Sequence, residues 1–324
     1  MRPAEPALLG SGQTGGMGGV LIGFGIIGVV ILVGYVVGRI DLLGPQGHRA
    51  LSQLVFFVLT PCLLFVTISK ADVAVLFSPI LVVSTAAALV AALISVVILR
   101  LVLHRSAAET TMGTMAGAYV NANNIGLPVA VYVLGSATFV APVLLFQLLV
   151  LTPVVLTIMD VTTNRGSGAS RWRTVTRPFT NPLLIASLVG VLCSVFGVTI
   201  PDDVREPFAL IGAAAVPVVL ISFGMSLHGQ KPLQPGTARV DVLVESALKV
   251  VVMPVVAWLL GAFVFDFSHE QLFVVVVLAG LPSAQNAFNY AQRYQVGVAV
   301  ARDTVLITTV AAVPALVAVA ALLK

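Results

Sequence analysis

The sequence predicts an all-α polytopic membrane protein with ten transmembrane helices. They form two inverted five-helix repeats, in which the fourth and ninth helices are broken and cross at the midplane. Three observations predict this fold: the composition, a series of apolar runs, and prolines that recur half a chain apart. Of the 324 residues, 59% are hydrophobic and 9% are charged, whereas soluble domains carry about 25% charged residues. The composition therefore excludes a soluble globular protein.

Ten apolar runs follow one another along the chain, each bounded by charged residues or by clusters of Gly, Pro and Asn. A transmembrane helix needs about 20 apolar residues, and each run is close to that length. The predicted helices lie near 18–38, 50–69, 74–99, 109–134, 138–159, 181–198, 206–226, 240–264, 270–292 and 302–322. We expect a flexible N-terminal tail at 1–16, a first five-helix repeat at 17–160, a cytoplasmic basic linker at 161–180 and a second, inverted repeat at 181–324.

Basic residues in the loops predict the orientation. Of the 17 Lys and Arg residues, twelve fall in loops on one side, four on the other side and one within a span. The basic side faces the cytoplasm in membrane proteins, so both termini of a multi-pass protein of the cell (inner) membrane are predicted to lie outside. The net charge of +4 is spread over short loops and does not indicate a nucleic-acid partner.

Prolines recur on corresponding spans of the two halves, at offsets of 156, 154 and 161 residues. The pairs are Pro61 and Pro217, Pro128 and Pro282, and Pro153 and Pro314. Each half has an odd number of spans, so the second half must enter the membrane upside down. Inverted repeats of this kind are typical of secondary transporters.

The fourth predicted span carries polar and helix-breaking residues at its centre: Asn121, Asn123, Asn124, Gly126 and Pro128. At 1.5 Å per residue, Asn121 lies about 16 Å from the cytoplasmic entry of a ~30 Å hydrocarbon core. Amides that face lipid are costly, so they should face protein or a water-filled cavity. Pro128 cannot donate a hydrogen bond and Gly126 tolerates an open backbone, so we expect a break with a second half that begins near Leu127.

The ninth predicted span repeats this chemistry with Pro282, Ser283, Gln285 and Asn286. Pro282 suits the first turn of a restarted helix. Two breaks at equal depth would cross, and each new half-helix would present free N–H groups and a positive dipole end to an anion. The alternative is a pair of proline kinks with Asn side chains that bond neighbouring helices.

Two ionisable residues lie inside the eighth predicted span. Glu245 and Lys249 are spaced i, i+4, so they share a helix face and can pair. Ionisable residues within a membrane are functional candidates. Lys249 could neutralise a substrate carboxylate, and Glu245 is the ion-coupling candidate; the alternative is a structural ion pair.

Sequence motifs of enzymes are not found. The chain has no Gly-x-Ser-x-Gly, His-Glu-x-x-His or P-loop pattern. Cys62 and Cys193 lie in apolar runs and predict neither a disulfide framework nor a metal site. We therefore expect a protein that is not an enzyme and has no cofactor or metal.

At these residues the sequence resembles the auxin efflux carrier family, which includes the plant PIN-like carriers and bacterial malate-permease-like transporters. The resemblance covers essentially the whole chain. It is carried by the segment 54–61, by Asn121 and Gly126 before Pro128, and by the spacing of Lys249 and Pro254. The most specific match runs from Pro282 through Asn286-Ala287-Phe288 to Ala291 and Tyr294.

The resemblance implies crossing fourth and ninth helices, scaffold and transport parts, and elevator-type alternating access. It also implies transport of small organic anions, such as auxin-like monoacids or dicarboxylates. Asn121, Asn123, Asn286 and Gln285 would contact the carboxylate. The alternatives are a sodium-coupled bile-acid-type symporter and a non-transporting membrane sensor. The expected partners are the anion, membrane lipid and a coupling proton or sodium; a homodimer, the direction of flux and the substrate are left open.

Overall fold

The computed structural model describes residues 17–44, 46–70, 78–163, 182–228, 233 and 238–323. The predicted tail at 1–16 lies outside these ranges, as does the predicted linker beyond residue 163. Within them the chain is helical, and its β-structure is one isolated bridge. The all-helical part of the predicted fold is therefore confirmed.

The described residues form twelve helical segments, which we number in chain order. They are α1 Met17–Arg39, α2 Gly47–Ile68, α3 Pro79–Val102, α4 Ala107–Ala118, α5 Leu127–Tyr132, α6 Ala137–Thr162, α7 Pro182–Val195, α8 Asp202–Leu227, α9 Arg239–Phe263, α10 His269–Ala279, α11 Gln285–Tyr294 and α12 Val298–Leu323. Six of the described helices, α2, α3, α6, α8, α9 and α12, are long and apolar enough to span a membrane.

Local sequence explains where several helices begin. Ser106 caps α4 in a reciprocal pair with Glu109, and Ser268 caps α10 in the same way with Gln271. Each pair satisfies two backbone N–H groups that the first helical turn leaves free. Pro79 starts α3, at a position where a missing N–H has no consequence.

Four long helices contain a π-helical turn, and three of these turns end two residues before a proline. The turns are Val55–Leu59, Ile98–Val102, Gln147–Leu151 and Leu248–Val252. The prolines are Pro61, Pro153 and Pro254. A proline removes a backbone donor and crowds the carbonyl one turn earlier, and a wider turn accommodates both effects. A π-turn contains one more residue than an α-helical turn. Residues after it therefore lie on a different face of the helix from the one that regular α-helical spacing predicts.

The helices pack as two groups. The four-helix group consists of α1, α2, α7 and α8, and the crossover group consists of α3, α4, α6 and α9–α12. Glycines let the backbones of the four-helix group approach closely, since a Cβ on Gly34 or Gly224 would overlap the backbone of the facing helix. The short α5 leaves the crossover group and packs against α1.

Large apolar side chains cover the outside of both groups. Leu93, Leu210 and Phe263 are among those with more than half of their surface exposed. An exposed apolar surface of this extent suits a lipid environment.

Candidate functional site

Two interrupted helices meet inside the crossover group. Helix α4 ends at Ala118 and helical structure resumes at Ala122, whereas α10 ends at Ala279 and α11 begins at Gln285. Between them, Val120 and Ser283 form an isolated antiparallel β-bridge. We call residues 119–126 and 280–286, with this bridge, the crossover.

Backbone hydrogen bonds join the two interruptions. The Asn121 N–H donates to the Pro282 carbonyl at 2.8 Å, and the Ala284 N–H donates to the Tyr119 carbonyl at 2.9 Å. Backbone groups that leave a helix inside a protein need other partners, and here each break satisfies the other.

The helices resume at positions that differ from the predicted ones. The sequence predicts Pro282 in the first turn of a new helix, but it lies before α11, which begins at Gln285. Ser283 pairs with Val120 in the β-bridge and Ala284 is extended, so the helix resumes only after them. In the fourth span, a π-turn over Ala122–Gly126 precedes α5, so helical structure resumes before Leu127.

Asn121 caps the π-turn that follows it. Its Oδ1 accepts a 3.0 Å hydrogen bond from the Asn124 N–H, and its backbone carbonyl accepts one from the Gly126 N–H at 2.7 Å. The side chain is only 3% exposed, and its Nδ2 has no hydrogen-bond partner among the described residues. A buried amide donor normally has an acceptor, so Asn121 offers a donor to a ligand.

A cavity of about 510 Å³ lies against the crossover and reaches the four-helix group. Its volume is within the ~300–1,000 Å³ typical of small-molecule sites. The structure brings five of the residues predicted from the sequence into its lining: Asn121, Asn123, Asn124, Gln285 and Asn286. Sequence reasoning missed the other polar lining residues, which are His48, Arg49, Ser52, Gln53, Tyr119, Gln147, Ser222, Asn289 and Tyr290.

Amide side chains link the two halves of the crossover at the cavity. Asn123 donates to the Asn124 side chain at 3.0 Å, and Asn124 makes a long 3.5 Å contact with Gln285. Helix α11 begins at Gln285 without a side-chain cap. Its first N–H groups therefore leave a partial positive charge beside the cavity.

The charges in the lining have one sign. Of the described residues that line the cavity, His48 and Arg49 carry basic side chains and none is Asp or Glu. Together with the amide donors and the start of α11, this arrangement suits an anion.

Four predicted site residues hold the crossover together and do not line the cavity. The Ser283 hydroxyl donates to the Ala116 carbonyl at 2.5 Å, and the Ser283 N–H donates to Thr308 at 3.1 Å. Pro282 is buried and accepts the Asn121 hydrogen bond. A Cβ on Gly126 would lie 2.9 Å from Leu281, and Pro128 is buried in the first turn of α5.

Glu245 and Lys249 do not form the ion pair that their spacing allows. Both side chains are fully buried. Glu245 accepts a 2.6 Å hydrogen bond from Ser95, whereas Lys249 donates to the Ala279 carbonyl at 2.7 Å. Each has its hydrogen-bond partner on another helix, Ser95 on α3 and Ala279 on α10. Neither residue lines the cavity. The position of Lys249 therefore gives no support to the expected direct contact with a ligand.

Both residues instead contact a helix that leads into the crossover. The Glu245 carboxyl lies against Gly117 of α4, where a Cβ would overlap it. Lys249 donates to the carbonyl of Ala279, the last residue of α10. Helix α9 thus fastens both broken helices just before their breaks.

Comparisons with known proteins agree with this description. Residues 25–319 match the family described as membrane transport protein. The chain is 26% identical over 263 residues to an "Uncharacterized transporter" of Methanothermobacter thermautotrophicus, covering 80% of this chain and 83% of the relative. It is 25% identical over 293 residues to a "Putative malonate transporter" of Rhizobium meliloti, covering 88% of this chain and 89% of the relative. It is 22% identical to the "Uncharacterized transporter YfdV" of Escherichia coli K12, covering 83% and 86%.

Proposed function

The chain belongs to the membrane transport protein family, and from that premise we propose that it is a secondary transporter of small organic anions that works by elevator-type alternating access. This family is the auxin efflux carrier family that the sequence resembles. Membership makes the protein a multi-pass membrane transporter, which is not an enzyme. The carboxylate substrate, the site and the mechanism are our proposals.

The observation that carries the proposal is the chemistry of the crossover. The Nδ2 of Asn121, which has no partner among the described residues, and the uncapped start of α11 lie at a cavity whose described lining has no acidic residue. We assign the substrate carboxylate to this place, with Asn121, Asn123 and Asn286 as its amide contacts. A carboxylate would satisfy the buried donor and meet the positive end of the helix. The name of the malonate relative is in keeping with this class of substrate.

The two helix groups suggest how the site moves. The cavity lies between them, lined by α2, α7 and α8 on one side and by the crossover and α6 on the other. We propose that the crossover group carries the anion past the four-helix group, within two inverted five-helix repeats at 17–160 and 181–324. With both termini outside the cell membrane, His48 and Arg49 lie on the cytoplasmic side, and the cavity is open inward.

The two buried ionisable residues of α9 have different roles in this mechanism. We assign Lys249 to positioning, since it holds the end of α10 and does not reach the cavity. We assign Glu245 to binding a coupling proton, because its Oε2 has no hydrogen-bond partner among the described residues. Gly126, Pro128, Pro282 and Ser283 keep the crossover in shape.

Uptake into proteoliposomes tests the proposed site. Radiolabelled malonate is the probe, and Asn121→Ala and Asn286→Ala are the variants. We expect each to lower uptake by about tenfold or more, the loss that follows when a hydrogen bond to a charged group is removed. Gln292→Ala is the matched control, because Gln292 is an exposed amide of α11 outside the cavity. Full uptake by both cavity variants would refute the assignment.

The same vesicles separate the two alternatives. A sodium-coupled symporter of the bile-acid type would lose uptake when choline replaces sodium. A non-transporting sensor would bind the anion in detergent and show no flux into sealed vesicles. Our proposal requires uptake that persists without sodium.

A further inference from the structure

A second polar cluster lies on the cavity wall formed by the four-helix group. Its members are His48, Arg49, Ser52 and Gln53 of α2 and Ser222 of α8, and all of them line the cavity. We call them the α2 cluster. None of them belongs to the crossover, and the proposed carboxylate site at the crossover gives them no role.

Hydrogen bonds hold part of the α2 cluster in place. The Nδ1 of His48 lies 2.9 Å from the carbonyl oxygen of Ser222, and the Ser52 and Ser222 hydroxyls are 2.9 Å apart. A carbonyl oxygen can only accept, so Nδ1 carries the hydrogen and donates it. In the neutral ring the opposite nitrogen, Nε2, is then an acceptor. The ring is thus fixed before any ligand arrives.

Arg49 brings a full positive charge to this wall. Among the described residues no carboxylate lies within ion-pair distance of it, and no acidic side chain lines the cavity. A guanidinium binds a carboxylate through two parallel hydrogen bonds, which makes arginine the preferred side chain for this recognition. The α2 cluster therefore has the chemistry of a carboxylate site.

Most of the other lining residues are apolar. Val55 and Phe56 of α2, Leu144 and Leu148 of α6, and Phe223 of α8 contribute to the same cavity. A ligand that fits this lining has a charged group at each polar cluster and a hydrocarbon part beside the apolar side chains.

We propose that the α2 cluster is a second carboxylate subsite and that the transported anion is a small dicarboxylate. One carboxylate binds at the crossover, as the proposed function requires, and the other binds the guanidinium of Arg49. The two subsites lie on different helix groups, so the second carboxylate contacts the four-helix group only when the cavity is in this position. Arg49 then selects dicarboxylates from monocarboxylates on the cytoplasmic side.

Paired ligands test this subsite on the purified full-length protein. Malonate and monomethyl malonate share a carbon skeleton and differ by one ionised carboxylate. We expect the wild type to bind malonate about tenfold or more tightly than the monoester. Loss of a hydrogen bond to a charged group raises the Kd by about that factor. Arg49→Gln should lower the malonate affinity to that of the monoester and leave the monoester affinity unchanged.

The controls separate this effect from general changes in charge or folding. Arg39→Gln removes an exposed cytoplasmic-side arginine that does not line the cavity, and it should leave both affinities unchanged. Thermal unfolding verifies that each variant is folded. Equal affinity of the wild type for the two ligands, or an equal loss of both affinities in Arg49→Gln, would overturn the proposal.

A variant of the crossover distinguishes two outcomes: that only the second subsite is wrong, or that the proposed function itself is wrong. Asn121→Asp should remove the binding of both ligands, because both place a carboxylate at the crossover. If Asn121→Asp removes both while Arg49→Gln changes neither, the crossover site stands and the second subsite is wrong. If Asn121→Asp changes neither, the proposed function itself is wrong.

Discussion

The backbone N–H of Asn121 donates a 2.8 Å hydrogen bond to the carbonyl of Pro282, across two helices from opposite halves of the chain. This bond, with the reciprocal one from Ala284 to Tyr119, gives each interruption the partners that its own helix lacks. The crossover therefore has a fixed geometry, and an element that moves one broken helix must move the other.

The hydroxyl of Ser283 should stabilise the crossover. In Ser283→Ala, the Ala116 carbonyl loses its side-chain donor in a buried place. We expect a loss of about 1–3 kcal/mol in the free energy of unfolding, the usual effect of leaving a buried polar group unsatisfied. Thermal unfolding in detergent measures it. Ser226→Ala is the control, since Ser226 bonds a carbonyl of its own helix; equal melting temperatures for the two variants would contradict the prediction.

Gly117 should tolerate no larger residue while Glu245 is present. A Cβ at this position would overlap the Glu245 carboxyl, so Gly117→Ala should destabilise the protein by about 1–3 kcal/mol through overpacking. The double variant Gly117→Ala/Glu245→Ala should recover part of this loss. Gly28→Ala is the control, because a Cβ on Gly28 meets no atom within 4 Å. A melting temperature of Gly117→Ala at or above that of Gly28→Ala would refute this packing.

Lys249 should affect translocation more than binding. Lys249→Met keeps an unbranched apolar side chain but removes the hydrogen bond to the Ala279 carbonyl. Because Lys249 does not line the cavity, we expect malonate affinity to stay within about threefold of wild type, less than the loss of a direct charged contact. The uptake rate should fall. Calorimetry and uptake on the same preparation measure both, and Lys249→Arg restores a hydrogen-bond donor as a comparison. Loss of binding with unchanged stability would instead place Lys249 at the substrate.

Glu245 should make uptake respond to protons. Glu245→Gln keeps an oxygen that accepts from Ser95 but cannot bind or release a proton. Asp241, the acidic residue one turn earlier, is held by two hydrogen bonds from Arg105 and remains unchanged in this variant. We expect an imposed pH gradient to change malonate uptake by the wild type and to have no effect on Glu245→Gln. Asp203→Asn, an exposed acid of α8, is the control. A pH response that survives in Glu245→Gln would contradict the assignment.

The sequence allowed the breaks to be predicted because their causes are local. Asn121, Gly126 and Pro128 cannot all sit in a regular helix that faces lipid, and the matched Pro282 identified the partner. The points at which the helices resume could not be predicted, since the β-bridge of Val120 and Ser283 depends on the tertiary structure. The roles of Glu245 and Lys249 changed for a similar reason, because their partners, Ser95 and the Ala279 carbonyl, lie on other helices and depend on the tertiary structure.

The residues of the α2 cluster on helix α2 form a pattern that is visible in the sequence. His48, Arg49, Ser52 and Gln53 recur at the spacing of one helix face. Of these residues, only Arg49 enters the prediction of orientation, as one of the basic loop residues. That this face lines the cavity depends on how α2 packs against α8 and the crossover group, and the sequence of α2 alone does not contain that information.

The binding of malonate to Asn121→Asp tests the central claim most directly. Aspartate and asparagine are equally good helix caps, so the substitution keeps the bond from the Asn124 N–H. It also replaces the free amide donor with a negative charge at the crossover. Calorimetry with the folded variant should show an affinity lower by about tenfold or more. Malonate affinity equal to that of the wild type, with an unchanged melting temperature, would contradict a carboxylate site at the crossover.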